Sequence, residues 1–415
     1  MDRSETTDCY DVIILGAGAA GLMAALRTAE LGRRVLLLEK NRKAGVKILM
    51  SGGTRCNITH ATTNRGIVEA FGPPGKFLHS ALASHGVNES IHFFEAEGVQ
   101  TKVEETGKIF PVSNKATDVL NALLNRLQRS GAELSLSEPV LDLSKKENSF
   151  LVTTRNRQLI CQRVILTTGG QSYPGSGTTG DGYRWARQFG HTIVTPRPAL
   201  VPVTVTAPWV KALRGITMPD VEAQIVENGK KRIRKRGSLL FAHFGLSGPL
   251  MLDISRVISG HSQPNKLSLR IDFLPNHSED DWAQILLKES QLAGKKSLVG
   301  VLGQFLPKRL AETLLTNCGQ DPTRKAAELS KALRHQLVQA VKRMTIPVQG
   351  TLGFEKAEVT AGGISLKEVD SRDMQSKLIP GLYFAGEILD LDGPIGGYNF
   401  QAAWSTGWLA GSSQQ

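Results

Sequence analysis

Three glycines with the spacing G-x-G-x-x-G stand directly after a short apolar stretch near the N-terminus. Gly16, Gly18 and Gly21 follow the apolar run 11–15 and precede a helical pattern over 22–31. Gly16 permits a tight turn, Gly18 lacks the Cβ that would block a pyrophosphate, and Gly21 lets the helix approach the strand closely. Free N–H groups at the start of such a helix hold phosphates, and the helix dipole adds to the attraction. In this context the motif predicts a dinucleotide-binding site.

An acidic residue follows at the position expected to contact the ribose. The run 35–38 is typical of a second parallel strand, and Glu39 comes directly after it, about 20 residues beyond the glycines. A carboxylate here accepts hydrogen bonds from both hydroxyls of an adenosine ribose and disfavours a 2′-phosphate. Because FAD and NAD share this arrangement, these residues alone leave the choice between the two cofactors open.

The C-terminal part of the chain favours FAD. A short apolar run, 379–384, is followed by Gly386 and Glu387, and Gly396-Gly397 precedes a helical pattern that continues through Leu409 to Gly411. A flavin extends well beyond the first glycine motif, and a helix N-terminus stabilises negative charge at the N1/O2 edge of its reduced ring. We therefore expect two remote stretches, 16–39 and 381–401, to bind a single FAD.

Several further segments give the chain a family resemblance. They are 45–57 (GVKILMSGGTRCN), 168–174 (TGGQSYP) with 179–183 (TGDGY), 244–249 (FGLSGP), 358–363 (EVTAGG) and 396–401 (GGYNFQ). Spread in order over nearly the whole chain, they resemble those of the BaiN/RdsA-type NAD(P)/FAD-dependent oxidoreductases. The resemblance implies an FAD-binding domain interrupted by a substrate domain with a β-barrel and a helical part. It also implies activities that include dihydrouridine synthesis in ribosomal RNA, flavin reduction linked to bile-acid pathways and amine oxidation, so the substrate stays open.

The motifs and the resemblance together assign candidate site residues. The cofactor-binding set is Gly16, Gly18, Ala19, Ala20, Gly21, Glu39, Lys40, Lys47, Ser51, Gly52, Gly53, Thr168, Gly169, Gly386, Glu387, Gly396, Gly397, Tyr398, Asn399 and Phe400. The candidate catalytic residues are Arg55, Cys56 and Asn57, and we expect no metal site.

The resemblance implies that the loop 47–57 runs past the pyrophosphate and the flavin ring. Lys47 would offer a charge there, and Arg55 and Asn57 would offer hydrogen-bond donors, although hydrogen bonds that fix the loop are an alternative role for both. Cys56 is a candidate proton donor to a substrate carbanion, with packing as its alternative role. Thr54 stands where the family commonly has a third glycine, so we expect either that the backbone avoids positive φ there or that the loop is displaced.

The composition excludes several classes of protein. With 415 residues, 40% of them apolar and 21% charged, the chain is too apolar for disorder and long enough for two or three domains. We expect no secretory signal and no membrane span, since the longest apolar stretch, 12–26, is shorter than the roughly 20 residues required. The 4 cysteines lie far apart, which argues against a disulfide scaffold or zinc site and favours a reducing cytoplasm.

Nearly all of the basic excess lies in one block. The formal net charge is +12, and residues 196–344 contain 23 Lys and Arg against 12 Asp and Glu. Its densest part follows Asn228-Gly229, a strong hairpin signal between the runs 221–226 and 231–241. These basic residues are Lys230, Lys231, Arg232, Arg234, Lys235 and Arg236. They indicate either a solvated edge strand, whose charges discourage aggregation, or a contact with RNA.

The predicted fold class is α/β, with a Rossmann-like FAD-binding domain interrupted by an inserted β-barrel plus helical substrate domain. We expect the FAD-binding domain over 1–195 and 345–415, the barrel over 196–278 and the helical subdomain over 279–344. Pro196 and Pro198 mark the first boundary. Alternating runs such as 201–205 and 267–271 indicate the barrel, and the periodic stretches 282–292 and 323–341 indicate helices.

The favoured functional hypothesis is an FAD-dependent oxidoreductase. NADH or NADPH would bind transiently, because no second glycine motif is present, and would deliver hydride through the flavin to an acceptor held by the insert. The favoured acceptor is a uridine in ribosomal RNA. The rival hypotheses are a small-molecule flavin reductase or amine oxidase, and a redox-silent RNA-binding module that keeps FAD for structure.

Overall fold

The computed structural model describes residues 8–292 and 294–414. The strands are β1 (Asp8–Leu15), β2 (Val35–Leu38), β3 (Thr59–His60), β4 (Thr101–Val103), β5 (Lys108–Pro111), β6 (Glu133–Ser135), β7 (Val140–Lys145), β8 (Phe150–Thr154), β9 (Gln158–Leu166), β10 (Ile193–Ala199), β11 (Val203–Val205), β12 (Thr217–Glu227), β13 (Lys230–Ala242), β14 (Gly245–Ser247), β15 (Leu267–Asp272), β16 (Met344–Thr351), β17 (Val359–Ile364) and β18 (Leu382–Phe384). The helices are α1 (Ala19–Glu30), α2 (Val46–Thr54), α3 (Asn64–Phe71), α4 (His79–Ser84), α5 (Val87–Ala96), α6 (Ala116–Ser130), α7 (Asp181–Gln188), α8 (Pro208–Ala212), α9 (Pro249–Ser259), α10 (Glu279–Leu292), α11 (Leu298–Leu302), α12 (Lys308–Asn317), α13 (Lys331–Lys342) and α14 (Tyr398–Ser412).

The chain divides into two compact units. The first, here called the Rossmann unit, extends to Pro198 and resumes at Glu358, and the second, the barrel unit, is Ala199–Ala357. The return to the first unit thus comes later than the predicted residue 345. The reason is β16, which pairs with β11 and β15 and so closes the barrel after the helical segment has ended.

A mainly parallel sheet forms the centre of the Rossmann unit. Its strands follow the order β6-β2-β1-β9, β18 lies parallel to β9, and β8 and β7 extend the sheet in antiparallel fashion. Alternate residues of β1 pack on opposite faces: Val12 and Ile14 lie in one apolar cluster with α1, α6 and α14, whereas Ile13 and Leu15 lie in another. Both faces of the sheet are therefore covered, as expected for parallel strands.

Four parallel strands end level with one another. The register aligns their last residues, which are Leu38, Leu15, Leu166 and Phe384. The segments that follow begin at Glu39, Gly16, Thr167 and Ala385 and leave the sheet at one edge. Carboxyl ends of parallel strands are the usual place for ligands in open α/β sheets.

The C-terminal helix packs directly on the helix of the glycine motif. A Cβ at Gly407 of α14 would lie 2.3 Å from the carbonyl oxygen of Ala20, and one at Gly411 would lie 2.6 Å from that of Ala24. Only glycine permits so close an approach of α14 to α1. The two remote stretches of the sequence are therefore neighbours in the Rossmann unit.

A closed six-stranded barrel forms the centre of the second unit, in the order β11-β14-β13-β12-β15-β16. The predicted hairpin is present: Asn228 and Gly229 join β12 to β13 with φ of 48° and 78°, and positive φ at both turn residues is typical of a two-residue hairpin turn. The predicted helix over 323–341 is wrong in its first part. α13 starts at Lys331, because Ser330 accepts a hydrogen bond from the N–H of Leu333 and caps the helix there.

Across the described ranges, none of the helices is both long and apolar enough to span a membrane. Within the same ranges, no group of three His, Cys, Asp or Glu side chains is arranged to hold a metal ion.

Candidate functional site

The glycine motif separates into two residues that serve the fold and one that borders open space. Gly16 has φ of +104°, and a Cβ there would lie 2.8 Å from the carbonyl oxygen of Thr167. A Cβ at Gly21 would lie 1.9 Å from the carbonyl oxygen of Gly16. At Gly18, by contrast, a Cβ would meet no described atom within 4 Å. Gly18 caps α1, which begins at Ala19, so this open space lies at the helix N-terminus, where anions bind.

Glu39 lies beside this open space. Its side chain is buried, one carboxylate oxygen accepts a hydrogen bond from the N–H of Ala17 (2.8 Å), and the other accepts one from the N–H of Asn41 (2.9 Å). A carboxylate has about four acceptor positions, so two remain for ribose hydroxyls. The structure thus places Glu39 next to the glycine turn, as its predicted role requires.

Lys40 makes contacts that its predicted role does not require. Its Nζ donates to Thr179 Oγ1 (2.6 Å) and to Asp181 Oδ2 (2.6 Å), and the neighbouring Asn41 Nδ2 donates to the carbonyl oxygen of Ser176 (2.9 Å). These bonds tie the end of β2 to the loop that leads into α7. In this structure Lys40 therefore holds a loop instead of facing open space.

Lys47 and Glu387 form an ion pair with each other. Lys47 Nζ donates to Glu387 Oε2 (2.6 Å) and to Ser172 Oγ (2.8 Å), and Ser172 Oγ donates to Glu387 Oε1 (2.6 Å). The N–H of Thr360 also donates to Glu387 (3.1 Å), while Thr360 Oγ1 accepts from the N–H groups of Gln171 and Ser172. The start of α2, the segment 168–174, β17 and the end of β18 therefore meet at one polar cluster, which is partly buried.

Two members of this cluster, Ser172 and Thr360, were absent from the predicted site. Both lie in segments that carry the family resemblance, 168–174 and 358–363, and this was the available signal. Nothing local in either segment indicates that the two would meet Glu387.

The second half of α2 is kinked, and the backbone of residues 51–56 is unusual. Ser51 has extended φ and ψ of −72° and 153°, and Gly52 and Gly53 follow in the left-handed region with φ of 56° and 67°. Thr54 and Cys56 also have positive φ, at 69° and 59°. Of the two alternatives expected at Thr54, the one in which its backbone avoids positive φ is therefore wrong. Such conformations disfavour residues with a Cβ and concentrate at functional sites.

Arg55 is held by the protein itself. Its Nη1 donates to Glu104 Oε1 (2.6 Å), its guanidinium lies 3.9 Å from the centre of the Phe110 ring, and its Nε donates to the carbonyl oxygen of Gly52 (3.3 Å). These contacts favour the loop-fixing role over a catalytic one.

Cys56 is fully buried in the apolar cluster that also contains α1 and α6. Burial raises the pKa of its thiol to about 12, although Ser51 counteracts this in part by a hydrogen bond. A proton donor must reach its substrate, and this side chain has no exposed surface. The structure therefore contradicts the proton-donor hypothesis for Cys56 and supports packing.

Asn57 is different, because its buried carboxamide is incompletely paired. The residue is 7% exposed, and its Oδ1 has no hydrogen-bond partner in the described parts of the chain. An unpaired buried acceptor costs about 1–3 kcal/mol, so a ligand that donates a hydrogen bond would be stabilised here. The N3–H and ribityl hydroxyls of a flavin are donors of this kind.

The predicted C-terminal residues surround the start of α14. Gly396 and Gly397 have φ of 123° and 97°, and a Cβ at Gly397 would lie 2.4 Å from the carbonyl oxygen of Thr59. The ring of Tyr398 stacks on His60, with centroids 4.6 Å apart, and His60 Nδ1 lies 3.0 Å from the carbonyl oxygen of Gly396.

The next two residues of α14 have local contacts. Asn399 accepts from the N–H of Gly393 (2.8 Å) and donates to the carbonyl oxygen of the same residue (3.0 Å). Phe400 stacks on Trp404, with centroids 5.3 Å apart. Their side chains thus shape the turn and the helix, and only their N–H groups remain for a ligand at the helix start.

Three remaining candidates lie at the ends of β9 and β18. Thr168 Oγ1 is buried and has no partner within the described ranges, and Gly169 adopts φ of +71°. Gly386 has φ of +78°, and a Cβ there would lie 2.8 Å from the Cβ of Ala20. Gly386 therefore lies against the first turn of α1, next to the glycine motif.

These residues fit an extended dinucleotide. The N-terminus of α1 borders open space at Gly18, Glu39 has spare acceptor positions, and Asn57 has an unpaired buried oxygen. Gly18, Glu39 and Asn57 belong to the segments that follow β1 and β2 at one edge of the sheet. Gly386, which follows β18, lies at the same edge.

Acids neutralise half of the six basic residues of the hairpin in the barrel unit. Its three arginines pair with acids of β12: Arg232 with Glu227, Arg234 with Glu222 (2.5 Å) and Arg236 with Asp220 (2.7 Å). The other three basic residues, Lys230, Lys231 and Lys235, are exposed. These pairs favour solvated charges over an RNA contact for the arginines, but β13 pairs with both β12 and β14 in the closed barrel and is not an edge strand.

Comparison with known proteins places the chain among oxidoreductases. The family described as HI0933-like protein Rossmann domain matches residues 10–413. The ribosomal RNA dihydrouridine synthase of Escherichia coli (strain K12) is 35% identical over 402 residues, which cover 96% of each chain. The 3-dehydro-bile acid delta(4,6)-reductase of Clostridium scindens is 32% identical over 403 residues, which cover 96% of this chain and 97% of that protein.

A solved structure shares the overall fold. The 3-ketosteroid-delta4-(5alpha)-dehydrogenase from Rhodococcus jostii RHA1 aligns over 99% of this chain and 98% of its own, with a TM-score of 0.50 and 17% sequence identity. At this identity the likeness shows the fold alone. The predicted fold class, a Rossmann-like FAD-binding domain with an inserted β-barrel, is confirmed, and so is the resemblance drawn from the motifs: the chain belongs to the HI0933-like Rossmann family.

Proposed function

We propose that this chain is an FAD-dependent oxidoreductase that reduces a uridine of ribosomal RNA to dihydrouridine, with NADH or NADPH as a transient donor. The observation that carries the flavin part is the shared sheet edge at which Gly18, Glu39 and Gly386 are assembled. The uridine part rests on the name of a relative that is 35% identical over 96% of both chains.

Each part of the edge has a binding role in this proposal. The N–H groups at the start of α1 would hold the pyrophosphate above Gly18, and Glu39 would accept hydrogen bonds from the adenosine ribose. Asn57 Oδ1 would accept a hydrogen bond from the flavin or its ribityl chain. The first N–H groups of α14, which begins at Tyr398, would stabilise negative charge on the ring.

Bound FAD would supply hydride transfer from the reduced nicotinamide to the C5=C6 bond of uracil, where one carbon takes the hydride and the other a proton. The nicotinamide is oxidised and the uracil ring is reduced, so electrons balance. Because Cys56 is enclosed by the apolar cluster, the proton would come from another group or from water. The uridine would have to leave its base stack to reach the ring.

A small-molecule reductase is the second candidate. The bile acid reductase is 32% identical over an equally large share of the chain, and its name also describes saturation of a carbon–carbon double bond. The ion pairs that neutralise the hairpin arginines favour this candidate, because they leave fewer cations there for phosphates.

Nucleoside mass spectrometry of ribosomal RNA tests the proposal. RNA from a strain without this protein should lack a dihydrouridine that the wild-type strain contains, and a plasmid copy should restore it. A copy with Gly18→Val should not, because its side chain would fill the phosphate site. Unchanged dihydrouridine in the deletion strain would reject the RNA acceptor, while NADH- or NADPH-dependent bleaching of bound flavin would still support an oxidoreductase.

A further inference from the structure

The basic residues of the barrel unit differ in whether acids neutralise them. We infer that RNA phosphates bind to a cluster of four exposed cations on α8, its C-terminal turn and α12, here called the α8–α12 patch: Lys211, Arg214, Lys308 and Arg309. This inference rests on the proposed RNA acceptor. It places the RNA-binding surface on the α8–α12 patch and not on the basic hairpin, where the sequence analysis considered an RNA contact.

Contacts of Arg309 bring the four cations together. Its guanidinium donates to the carbonyl oxygen of Ala212 at the end of α8, and also to that of Arg214 (3.4 Å). Lys211 directly precedes Ala212, Arg214 itself carries the second carbonyl, and Lys308 directly precedes Arg309. Backbone acceptors thus fix the position of Arg309 without cancelling its charge.

Acids scarcely neutralise this patch. In the described parts of the chain, Lys211, Arg214 and Arg309 have no carboxylate within 4.0 Å, and Lys308 has only Glu312, at 4.0 Å. Each arginine of the hairpin, by contrast, has its own acid on β12. The field of the α8–α12 patch therefore extends into solvent, where it attracts polyanions.

The start of α12 independently favours a bound anion at the patch. Lys308 and Arg309 are the first two residues of this ten-residue helix, and its first turn has no acidic residue. Cations are unfavourable at a helix N-terminus, where the partial charge of the backbone is already positive. A bound phosphate would relieve this repulsion and accept hydrogen bonds from the free N–H groups of the same turn.

The form of the patch favours a chain of phosphates over one small anion. Its four cations are spread over two elements of the exposed surface, and arginine binds phosphate in a bidentate manner. A polynucleotide backbone presents phosphates in this spread-out way, and its affinity falls with salt as each contact releases counterions.

The test is RNA binding by the flavin-loaded protein. The probe is a mixed-sequence single-stranded RNA of about 30 nucleotides, a length that spans more than one site size. Fluorescence anisotropy at several KCl concentrations gives the slope of log affinity against log salt. The test variant is Lys211→Gln with Arg214→Gln and Lys308→Gln, which keeps the structural contacts of Arg309. The matched control is Lys295→Gln with Lys296→Gln and Lys325→Gln, three exposed lysines of the same unit.

The patch variant should bind the probe at least tenfold more weakly and lower the salt slope by about 2, since each phosphate contact contributes about 0.7 for single strands. The control should change the slope by less than about 0.7. Equal losses in both variants, or none in the patch variant, would overturn the inference.

A second readout separates failure of the inference from failure of the proposed function. In the deletion strain, the patch variant should restore less dihydrouridine than the control, although both proteins carry the same amount of flavin. If the wild-type protein restores dihydrouridine and the patch variant matches it, the patch is wrong and the proposed function stands. If the wild-type protein neither binds the probe nor restores dihydrouridine, both fail.

Discussion

The two units of the chain differ in their buried side-chain oxygens: among the described residues, those without a hydrogen-bond partner all lie in the Rossmann unit, whereas the barrel unit leaves the donors Trp282 Nε1 and Arg324 Nε without one. In the Rossmann unit, Asn57 Oδ1 and Thr168 Oγ1 are buried without a hydrogen-bond partner among the described residues, and both lie in segments of the predicted site. In the barrel unit, the buried cation Lys342 pairs with Asp272 (2.7 Å) and donates to the carbonyl oxygen of Leu274 (2.7 Å).

This difference shows where each unit expects a ligand. An unpaired buried acceptor is costly, and a ligand that donates a hydrogen bond to it recovers that cost. A charge that is enclosed and fully paired is complete without one. The Rossmann unit thus offers a ligand unpaired buried acceptors, whereas the barrel unit offers a partner its exposed charges.

The largest expected effect is the loss of flavin binding by the Rossmann unit. Gly18→Val should abolish flavin binding while leaving the fold intact, because the added atoms enter open space and φ of −84° suits valine. Gly21→Val is the contrasting variant, since its Cβ would lie 1.9 Å from a backbone oxygen and should destabilise the fold itself. Flavin absorbance and the circular dichroism of both variants distinguish these outcomes. A flavin-replete Gly18→Val protein would contradict the site.

The same contrast shows what could be predicted from the sequence. The glycine turn and the Asn228-Gly229 hairpin depend on residues a few positions apart, so spacing sufficed for both. The cluster of Lys47, Ser172 and Glu387 joins segments more than a hundred residues apart, and no local pattern specifies such a contact. The pairing of β16 with β11 escaped the prediction for the same reason. The acids that neutralise the hairpin arginines lie only 5 to 16 residues away on β12, so the hairpin register could have indicated them.

The second effect concerns a buried group that needs no ligand. His85 is 3% exposed, stacks on Trp408 with centroids 4.8 Å apart, and has an Nε2 without a partner in the described ranges. Burial, and secondarily the charge of Arg126, lowers the pKa of His85 from 6.5 to about 4. The ring of folded His85 is therefore neutral at pH 7.

A pH series tests this account of His85. Unfolded His85 takes up a proton near pH 6.5, whereas folded His85 does so only near pH 4. Its contribution to stability is therefore fully present above pH 6.5 and is lost as pH falls towards 4, by about 3 kcal/mol in total. Urea unfolding at pH 7.5 and pH 5 should show this loss in the wild-type protein. His85→Phe keeps the stacking and should lose less stability over the same interval; an equal loss would assign the pH dependence to other groups.

The third effect tests whether Glu39, at the edge of the sheet, binds the ribose. Glu39→Gln removes the charge that would bind the ribose hydroxyls, and loss of charge-assisted hydrogen bonds should weaken FAD binding about 10- to 100-fold. Titration of the flavin-free protein with FAD measures this. Glu133→Gln on β6 is the matched control, because it alters a carboxylate of the same sheet that contacts Tyr10 instead of the glycine turn. Similar affinities for the wild-type protein and Glu39→Gln would mean that Glu39 only supports the turn through Ala17.

The smallest effect tests how much an ion pair of the hairpin contributes to the stability of the barrel unit. Arg234 and Glu222 pair across β13 and β12, but the side chain of Arg234 is 54% exposed, and exposed ion pairs contribute little because water and salt screen them. Arg234→Gln should therefore lower the melting temperature by at most about 2 °C. The double variant with Glu222→Gln should not be less stable than the single one, because removing the acid also removes the unpaired carboxylate that Arg234→Gln leaves behind. A strong additional loss of stability in the double variant would contradict this expectation. It would show that Glu222 stabilises the barrel through another contact, such as the hydrogen bond that Gln224 donates to it.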